Sequence, residues 1–133
     1  QSIATLTQTI TNVHRALKPG GLFCFNAVDK STIDNRPGIK RQLTHEQSDF
    51  CFQSNWYYRG DGDQQQLQLA IERTTQGITE HWRDQHPMVA ITFSDLQAIL
   101  APLFEVLVFT HDYQTITPWE TGAGNAFFVA IKH

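Results

Sequence analysis

The chain has 133 residues, about one ordinary domain and enough for a real core. Its 41% apolar and 17% charged residues are typical of a folded globular protein and exclude a disordered one. The net charge of −3, with ten Lys and Arg residues in no long run, indicates no nucleic-acid or membrane partner, and no apolar window is long enough to span a membrane. With no visible signal peptide, we expect a cytoplasmic protein.

The first predicted element is a helix over residues 2–17, followed by a sharp turn and a strand. Apolar residues recur in this helix at steps of three and four, and Ser2 is a candidate N-cap. Pro19 cannot continue a helix, and Gly20 can adopt the positive φ that reverses the chain. The apolar run that begins at Leu22 then predicts a strand buried on both faces of an α/β sheet.

The middle of the chain predicts a long loop and then antiparallel strands. Residues 29–47 lack an apolar period, so we expect a loop with about one turn of helix, and loops of this length are often functional. From Phe50 the apolar residues recur with a period of two, and the second strand of this region is predicted to have one solvent-exposed and one buried face. The predicted strands cover residues 50–58, 66–72, 78–83 and 89–93. We interpret residues 48–93 as an antiparallel insert within a single domain over residues 1–133.

The last third of the chain predicts a helix and two strands. Ser94 and Gln97 form a capping-box pattern, and Pro102 forces the end of the helix that they begin. Strands are predicted over residues 104–110 and 125–132, and the second is apolar enough to be buried on both faces. His111 and Tyr113 follow the first of these strands, where a position facing water is an equal alternative to a functional one.

This order of elements resembles the C-terminal half of the class I S-adenosylmethionine-dependent methyltransferases. The sharpest match is Leu17-Lys18-Pro19-Gly20-Gly21, which stands between a helix and an apolar strand as the family's motif does. The segment Glu80-His81-Trp82-Arg83 is similar to a Glu-His segment of many small-molecule members. The resemblance implies an α/β fold, the C-terminal part of a Rossmann-like sheet. Three of its strands are present, the last antiparallel between the other two, with an inserted antiparallel β-meander.

The resemblance implies S-adenosylmethionine as the cofactor of a parent enzyme, although the cofactor motif itself is missing. That motif is a glycine-rich turn which opens a helix after a strand. Gly60-Asp61-Gly62 and Gly122-Ala123-Gly124 each precede a strand instead, so no cofactor-binding residue is identified. The chain also begins at Gln1 without a methionine. We therefore expect a C-terminal fragment that is catalytically inert alone, whose partner is the missing N-terminal half or a second copy paired through a bare sheet edge.

Two groups of residues are candidates for the acceptor side of such an enzyme. Because this fold binds ligands at the carboxyl ends of its strands, Asn26 and Asp29 are predicted to line the cleft for a small-molecule methyl acceptor. The alternative is that both only cap the strand end. The side chains predicted to wall an acceptor pocket are Trp56, Tyr57, Tyr58, His81 and Trp82, and ordinary sheet packing of the aromatic side chains is the alternative.

His81 is the candidate catalytic residue. Its unperturbed pKa near neutrality suits a general base that draws a proton from an acceptor hydroxyl or amine. No metal site is predicted, because His86 would point to the opposite strand face and no third ligand has a fixed spacing. Cys24 and Cys51 are expected to be free thiols. No serine-nucleophile elbow or phosphate-binding loop occurs, so a self-contained hydrolase or kinase is not supported.

Two functions from other classes remain as alternatives. The first is a non-enzymatic ligand-binding cone like the nuclear transport factor 2 family, with an α+β fold and a pocket lined by the aromatic residues 56–58. The second is a structural module that dimerises through an exposed sheet edge. The two doubly buried strands and the helix from Ser94 argue against the cone.

Overall fold

The computed structural model describes residues 2–112 and 114–133, which form two helices and seven strands. The elements are α1 (Ile3–Ala16), β1 (Leu22–Val28), a 3₁₀ turn (Lys30–Thr32), β2 (Arg41–His45), β3 (Ser48–Tyr58), β4 (Gln64–Thr75), β5 (Ile78–Val89), α2 (Phe93–Leu100), β6 (Phe104–Thr110) and β7 (Asn125–Lys132). The chain divides into two compact units. The first unit runs to Ile33 and resumes at Val89, and the second is Asp34–Met88.

The first unit contains a three-stranded sheet in the order β1-β7-β6. β7 lies in the middle and is antiparallel to both neighbours, with Phe128 opposite Phe25 of β1 and Val108 of β6. The prediction of an α/β sheet whose last strand is antiparallel between the other two is therefore confirmed. The bounds predicted for β6 and β7 are also those observed.

Both helices pack on the same face of this sheet. Side chains of α1 and α2 form one buried cluster with the sheet, consisting of Ile10, Ile91, Phe93, Leu96, Leu100, Phe104, Ala126, Phe128 and Ala130. The predicted burial of β1 on both faces is wrong, because Leu22 is 57% exposed and Cys24 is exposed. Along β7 only alternate residues are fully buried. The opposite face of the sheet is open, with Leu22 beside Ile131 and Cys24 beside Val129.

The turn from α1 into β1 is built as the sequence predicts. Ser2 caps α1 by accepting a hydrogen bond from Thr5 N (3.2 Å). Gly20 has a φ of +75°, which reverses the chain after Pro19. The end of α1 holds one feature that the sequence did not indicate. The Lys132 ammonium of β7 donates to the carbonyls of His14 (2.7 Å) and Leu17 (2.8 Å), which the helix leaves without partners.

The cap of α2 differs from the prediction. Its N-cap is Thr92, whose hydroxyl accepts from Asp95 N (3.1 Å) and donates to the Asp95 carboxylate (2.7 Å). The observed N-cap therefore lies two residues before Ser94. The helix ends at Leu100, two residues before Pro102, in agreement with the predicted stop.

The second unit is a four-stranded antiparallel meander in the order β2-β3-β4-β5. β2 lies inside residues 29–47, which were predicted as loop, whereas the single predicted helical turn is present as the 3₁₀ turn. β5 is continuous to Val89, so no separate strand follows it over residues 89–93. The seven strands form two separate sheets rather than one curved sheet, so the predicted alternative of a single cone is wrong. Neither described helix is long and apolar enough to cross a membrane.

Candidate functional site

The sheet of the second unit has one apolar and one polar face. Successive residues of a strand point to opposite faces, and the observed register pairs Trp56 with Leu67 and Asn55 with Gln68. The apolar face carries Phe50, Phe52, Trp56, Leu67, Leu69 and Ile71. The polar face carries Gln53, Asn55, Gln68 and Glu72. The candidate site lies on the polar face.

A groove of about 360 Å³ crosses β3, β4 and β5. Most of its lining residues belong to the polar face, and they include Gln68, Glu72, His81, Arg83 and Gln85. The groove therefore combines amide, carboxylate, imidazole and guanidinium groups in one concavity. This chemistry suits a small polar ligand held by several hydrogen bonds.

His81 lies in this groove beside a carboxylate from the neighbouring strand. Its Nδ1 is 3.3 Å from Glu72 Oε1, and both side chains remain partly open to solvent. Sequence reasoning missed Glu72, although one signal was present. The two-residue turn Gln76-Gly77 between β4 and β5 sets a register that places Glu72 opposite His81.

Two cations of the groove have no acidic partner among the described residues. Lys40 and Arg83 line the groove, and no described carboxylate lies within ion-pair distance of either. By contrast, Arg73 pairs with Glu80 on the other face of the same sheet. The two groove cations therefore keep their hydrogen-bond donors available for a ligand.

The segment that carries Lys40 is tied to β3 by side-chain amides. Gly38 N donates to Asn55 Oδ1, and Gln53 Nε2 donates to the Gly38 carbonyl (2.8 Å). Farther along the same edge, Asn35 accepts from Tyr58 N (2.7 Å) and donates to Tyr58 O (2.8 Å). These amides replace the backbone ladder beyond β2 and hold one wall of the groove in place.

Most of the predicted aromatic wall is not on the same face as His81. Trp56 and Tyr58 lie on the apolar face, and the Tyr58 hydroxyl donates to Gly62 O (3.0 Å). Trp82 borders the groove, but its ring lies under the Arg73 guanidinium, 5.6 Å from the ring centroid. Trp56, Tyr58 and Trp82 were predicted to share one pocket with His81, and strand alternation separates these three from it. Tyr57, opposite Gln66, is the member of the predicted wall that lies on the His81 face.

Asn26 and Asp29 belong to the first unit. Asp29 Oδ1 accepts from Ser31 N (2.9 Å) and Ser31 Oγ (2.6 Å), while Oδ2 accepts from Phe93 N (3.4 Å). Both carboxylate oxygens are therefore engaged in joining the end of β1 to the start of α2, which favours the capping alternative for Asp29. Asn26 is exposed on the open face of the sheet, opposite Phe127.

The remaining titratable residues form no metal centre in the described part of the chain. His86 Nε2 lies 3.3 Å from Asp84 Oδ2, and no three His, Cys, Asp or Glu side chains of the described residues cluster closely enough to hold an ion. Cys24 and Cys51 are free and belong to different units. Tyr113 lies outside the described residues.

Comparison with solved structures places the fold among methyltransferases. The chain matches an amino pentose methyltransferase of Micromonospora echinaspora, CalS10, with a TM-score of 0.71 at 14% identity over 100% of this chain. It matches the sugar N-methyltransferase KedS8 of a Streptoalloteichus species with a TM-score of 0.66 at 16% identity over 98% of this chain. A methyltransferase of Clostridium acetobutylicum gives a TM-score of 0.64 at 13% identity over 96% of this chain. The chain has the fold of about half of an S-adenosylmethionine-dependent methyltransferase.

This partial methyltransferase fold spans 52%, 49% and 50% of those three chains, respectively. No family model matches the sequence, and no curated protein matches it. The similarity is therefore one of fold, carried by the order and direction of the strands rather than by shared residues.

The described part of this methyltransferase fold does not fit the cofactor by itself. A nucleotide-type site needs a glycine-rich turn that leads from a strand into a helix and brings backbone N–H groups to the ligand. The glycines with positive φ are Gly20, Gly60, Gly62, Gly77 and Gly122. None stands between a strand and a following helix, and the first backbone N–H of α2 is directed to Asp29.

Proposed function

We propose that this chain is the C-terminal portion of an S-adenosylmethionine-dependent methyltransferase that acts on a small molecule. The observation that carries the proposal is the sheet order β1-β7-β6 with an antiparallel middle strand, in a chain that matches about half of each methyltransferase. The Leu17–Gly21 motif at the start of β1 supports the same assignment. The free thiols of Cys24 and Cys51 support a reducing, cytoplasmic setting.

In the proposed enzyme, the polar groove forms the acceptor side of the site. The cofactor supplies the methyl group, and this chain orients the acceptor and takes up its proton. His81 is the proposed base, because its imidazole lies in the groove among polar side chains. Trp82 borders the groove and remains a proposed acceptor contact, whereas Asn26, Trp56 and Tyr58 do not line it, so a role for these three in acceptor binding stays a prediction from the sequence. Asp29 is not proposed to contact the acceptor, because its carboxylate joins the end of β1 to the start of α2.

The open face of the first unit supports the idea that another part of the enzyme covers it. β1 is an edge strand, and the apolar side chains that are exposed or half-buried on this face include Leu22, Cys24, Leu107, Phe109, Phe127, Val129 and Ile131, beside the polar Asn26 and Glu105. Such a contiguous apolar surface beside an unpaired strand edge favours association. We propose that the remaining half of the methyltransferase occupies it, since each matched structure has about as much chain again.

Calorimetric titration tests the proposal that this chain forms the acceptor side of the enzyme while the remaining half binds the cofactor. We expect the 133-residue chain to show no heat of binding with S-adenosylmethionine or its demethylated product up to millimolar ligand, because the glycine-rich turn is missing. We expect the protein expressed from its complete reading frame to bind both ligands at micromolar concentration. Micromolar binding by the 133-residue chain would contradict the proposal that the cofactor site lies in the remaining half. Failure of the complete protein to bind would contradict the proposal that it is a methyltransferase.

Sedimentation tests whether the chain self-associates when nothing covers the open face. We expect the 133-residue chain to self-associate through this face and the β1 edge. Leu107→Lys, which places a charge on the open face, is expected to reduce the association, whereas Ile78→Lys in the second unit serves as the matched control because Ile78 is also exposed. A strictly monomeric wild-type chain would contradict the role of the open face.

A further inference from the structure

The β4–β5 hairpin places Glu72 and His81 side by side through the geometry of its turn. Gln76 and Gly77 have φ values of +51° and +80°, as the two central residues of a type I′ turn require. This turn aligns the following pairs, so Thr74 contacts Thr79 (2.9 Å) and Arg73 contacts Glu80. Glu72 and His81 form the next pair, and they lie on the face that carries the groove. The contact is therefore held by two strands rather than by flexible side chains alone.

The contact assigns different environments to the two imidazole nitrogens of His81. Nδ1 faces Glu72 Oε1 at 3.3 Å, which leaves Nε2 without a partner among the described residues. A carboxylate beside Nδ1 favours the tautomer in which Nδ1 carries the hydrogen, so the lone pair is on Nε2. We propose that Glu72 is a positioning residue that orients His81 so that Nε2 accepts a proton from a hydroxyl or ammonium group in the groove. This inference rests on the proposed function only for the identity of that group as the methyl acceptor.

The proposed step conserves charge within the groove. The O–H or N–H bond of the bound ligand breaks, and a new N–H bond forms at His81 Nε2. The imidazolium that results has the Glu72 carboxylate 3.3 Å from its Nδ1. The proton then leaves to water, because the His81 side chain is 61% exposed. No oxidant, reductant or metal ion is needed.

Two other imidazole–carboxylate contacts show why this pair is distinctive. His86 contacts Asp84 at 3.3 Å and His45 contacts Glu46 at 4.0 Å, but each pair lies on one strand or at its end and does not combine two strands. Neither His86 nor His45 lines the groove. Of these three pairs, the one formed by His81 is thus the pair whose carboxylate comes from a neighbouring strand and whose ring faces a concave polar site.

Nitrogen NMR of the histidine rings tests the tautomer directly in the 133-residue chain. With His81 assigned by His81→Gln, we expect the neutral ring to be mostly in the Nδ1–H form. Glu72→Leu is expected to shift it mostly to the Nε2–H form, whereas Glu72→Gln retains much of the Nδ1–H form because its amide oxygen still accepts. Glu80→Leu is the matched control, since Glu80 lies on the same hairpin but pairs with Arg73 on the other face. An unchanged tautomer ratio in both Glu72 variants would overturn the proposal.

Chemical modification tests whether Nε2 is the reactive nitrogen. Diethyl pyrocarbonate acylates unprotonated imidazole nitrogen, so we expect mass spectrometry to find His81 modified and heteronuclear NMR of the adduct to place the group mainly on Nε2. In Glu72→Leu this rate should fall by about twofold to fivefold, the range that a partly exposed charge pair supports. Equal rates in Glu72→Leu and Glu80→Leu would contradict a specific role for Glu72. Neither measurement depends on cofactor binding, so failure here is distinguishable from failure of the calorimetric test of the methyltransferase.

Discussion

Removal of the Lys132 ammonium tests how the first unit joins its helix to its sheet. Lys132 is half-buried near the end of β7, and its Nζ donates to the carbonyls of His14 and Leu17 at 2.7 and 2.8 Å. The last four carbonyls of a helix have no partner within the helix, so these two bonds replace a local cap. Lys132→Met keeps the aliphatic part of the side chain and removes only the charge and its donors.

The size of the effect follows from these two contacts. A hydrogen bond to a charged group contributes about 1.5–3 kcal/mol net. The two bonds together would give about 3–6 kcal/mol; because both carbonyls can rebind water once the ammonium is gone, we expect a loss at or just below the lower end of that range, about 2–3 kcal/mol. For a chain of this length that corresponds to a Tm lower by roughly 6–15 °C.

Circular dichroism at the helix band provides the assay, because both helices belong to the first unit. Lys18→Met is the matched control, since Lys18 is exposed just beyond the end of α1 and shares only the interaction with the helix dipole. We expect the control to lose less than about 1 kcal/mol. Equal losses in the two variants would show that general charge near the helix end, rather than the two directed bonds, accounts for the effect.

Three further predictions concern the loop, a surface turn and the open face. In Gly38→Ala the new Cβ would overlap the Ser54 backbone oxygen, so we expect the free energy of unfolding of the second unit to fall by about 2 kcal/mol or more. Hydrogen exchange of the β3 amides measures this loss, and unchanged exchange would contradict the close approach of Gly38 to Ser54. The backbone N–H of Gln114 and then the Thr115 hydroxyl lower the pKa of Asp112, so this carboxylate stabilises the fold above its usual pKa and loses that effect as the pH falls through the lower value. Carboxyl-carbon NMR should show it titrating below 3.8 and moving upward in Thr115→Val, and a wild-type value at or above 3.8 would refute this. Cys24 should be alkylated faster than the half-buried Cys51, and equal rates would contradict an open face.

The strands of the first unit could be predicted because their sequence signals are strong and local. β1, β6 and β7 are apolar runs bounded by glycine, proline or polar residues, and their observed bounds are close to the predicted ones. The Leu17–Gly21 turn combines a helix stop with a glycine that needs positive φ. Each of these signals depends on neighbours in sequence.

The missed features depend instead on contacts between distant segments. β2 has no apolar period, and all five of its residues are exposed. These residues form a strand because their backbone pairs with β3. The N-cap of α2 moved to Thr92, where Asp29, far away in sequence, also reaches the first N–H of the helix. Alternation within β5 separates Trp82 from its neighbour His81, whereas the placement of Glu72 beside His81 depends on the register between β4 and β5.

The error about β1 is itself informative about function. Its residues are apolar on both sides of the strand, yet the described chain covers only the side packed against α1 and α2. The neighbouring strands also carry apolar residues on the uncovered side, since Val129 of β7 lies beside Cys24 and Leu107 of β6 lies beside Val129. Apolar residues in three adjacent strands, aligned on one uncovered face, are the composition expected of a surface that is buried in the working protein. This alignment supports the proposed parent enzyme independently of the fold comparisons, because it is a property of the residues rather than of the backbone.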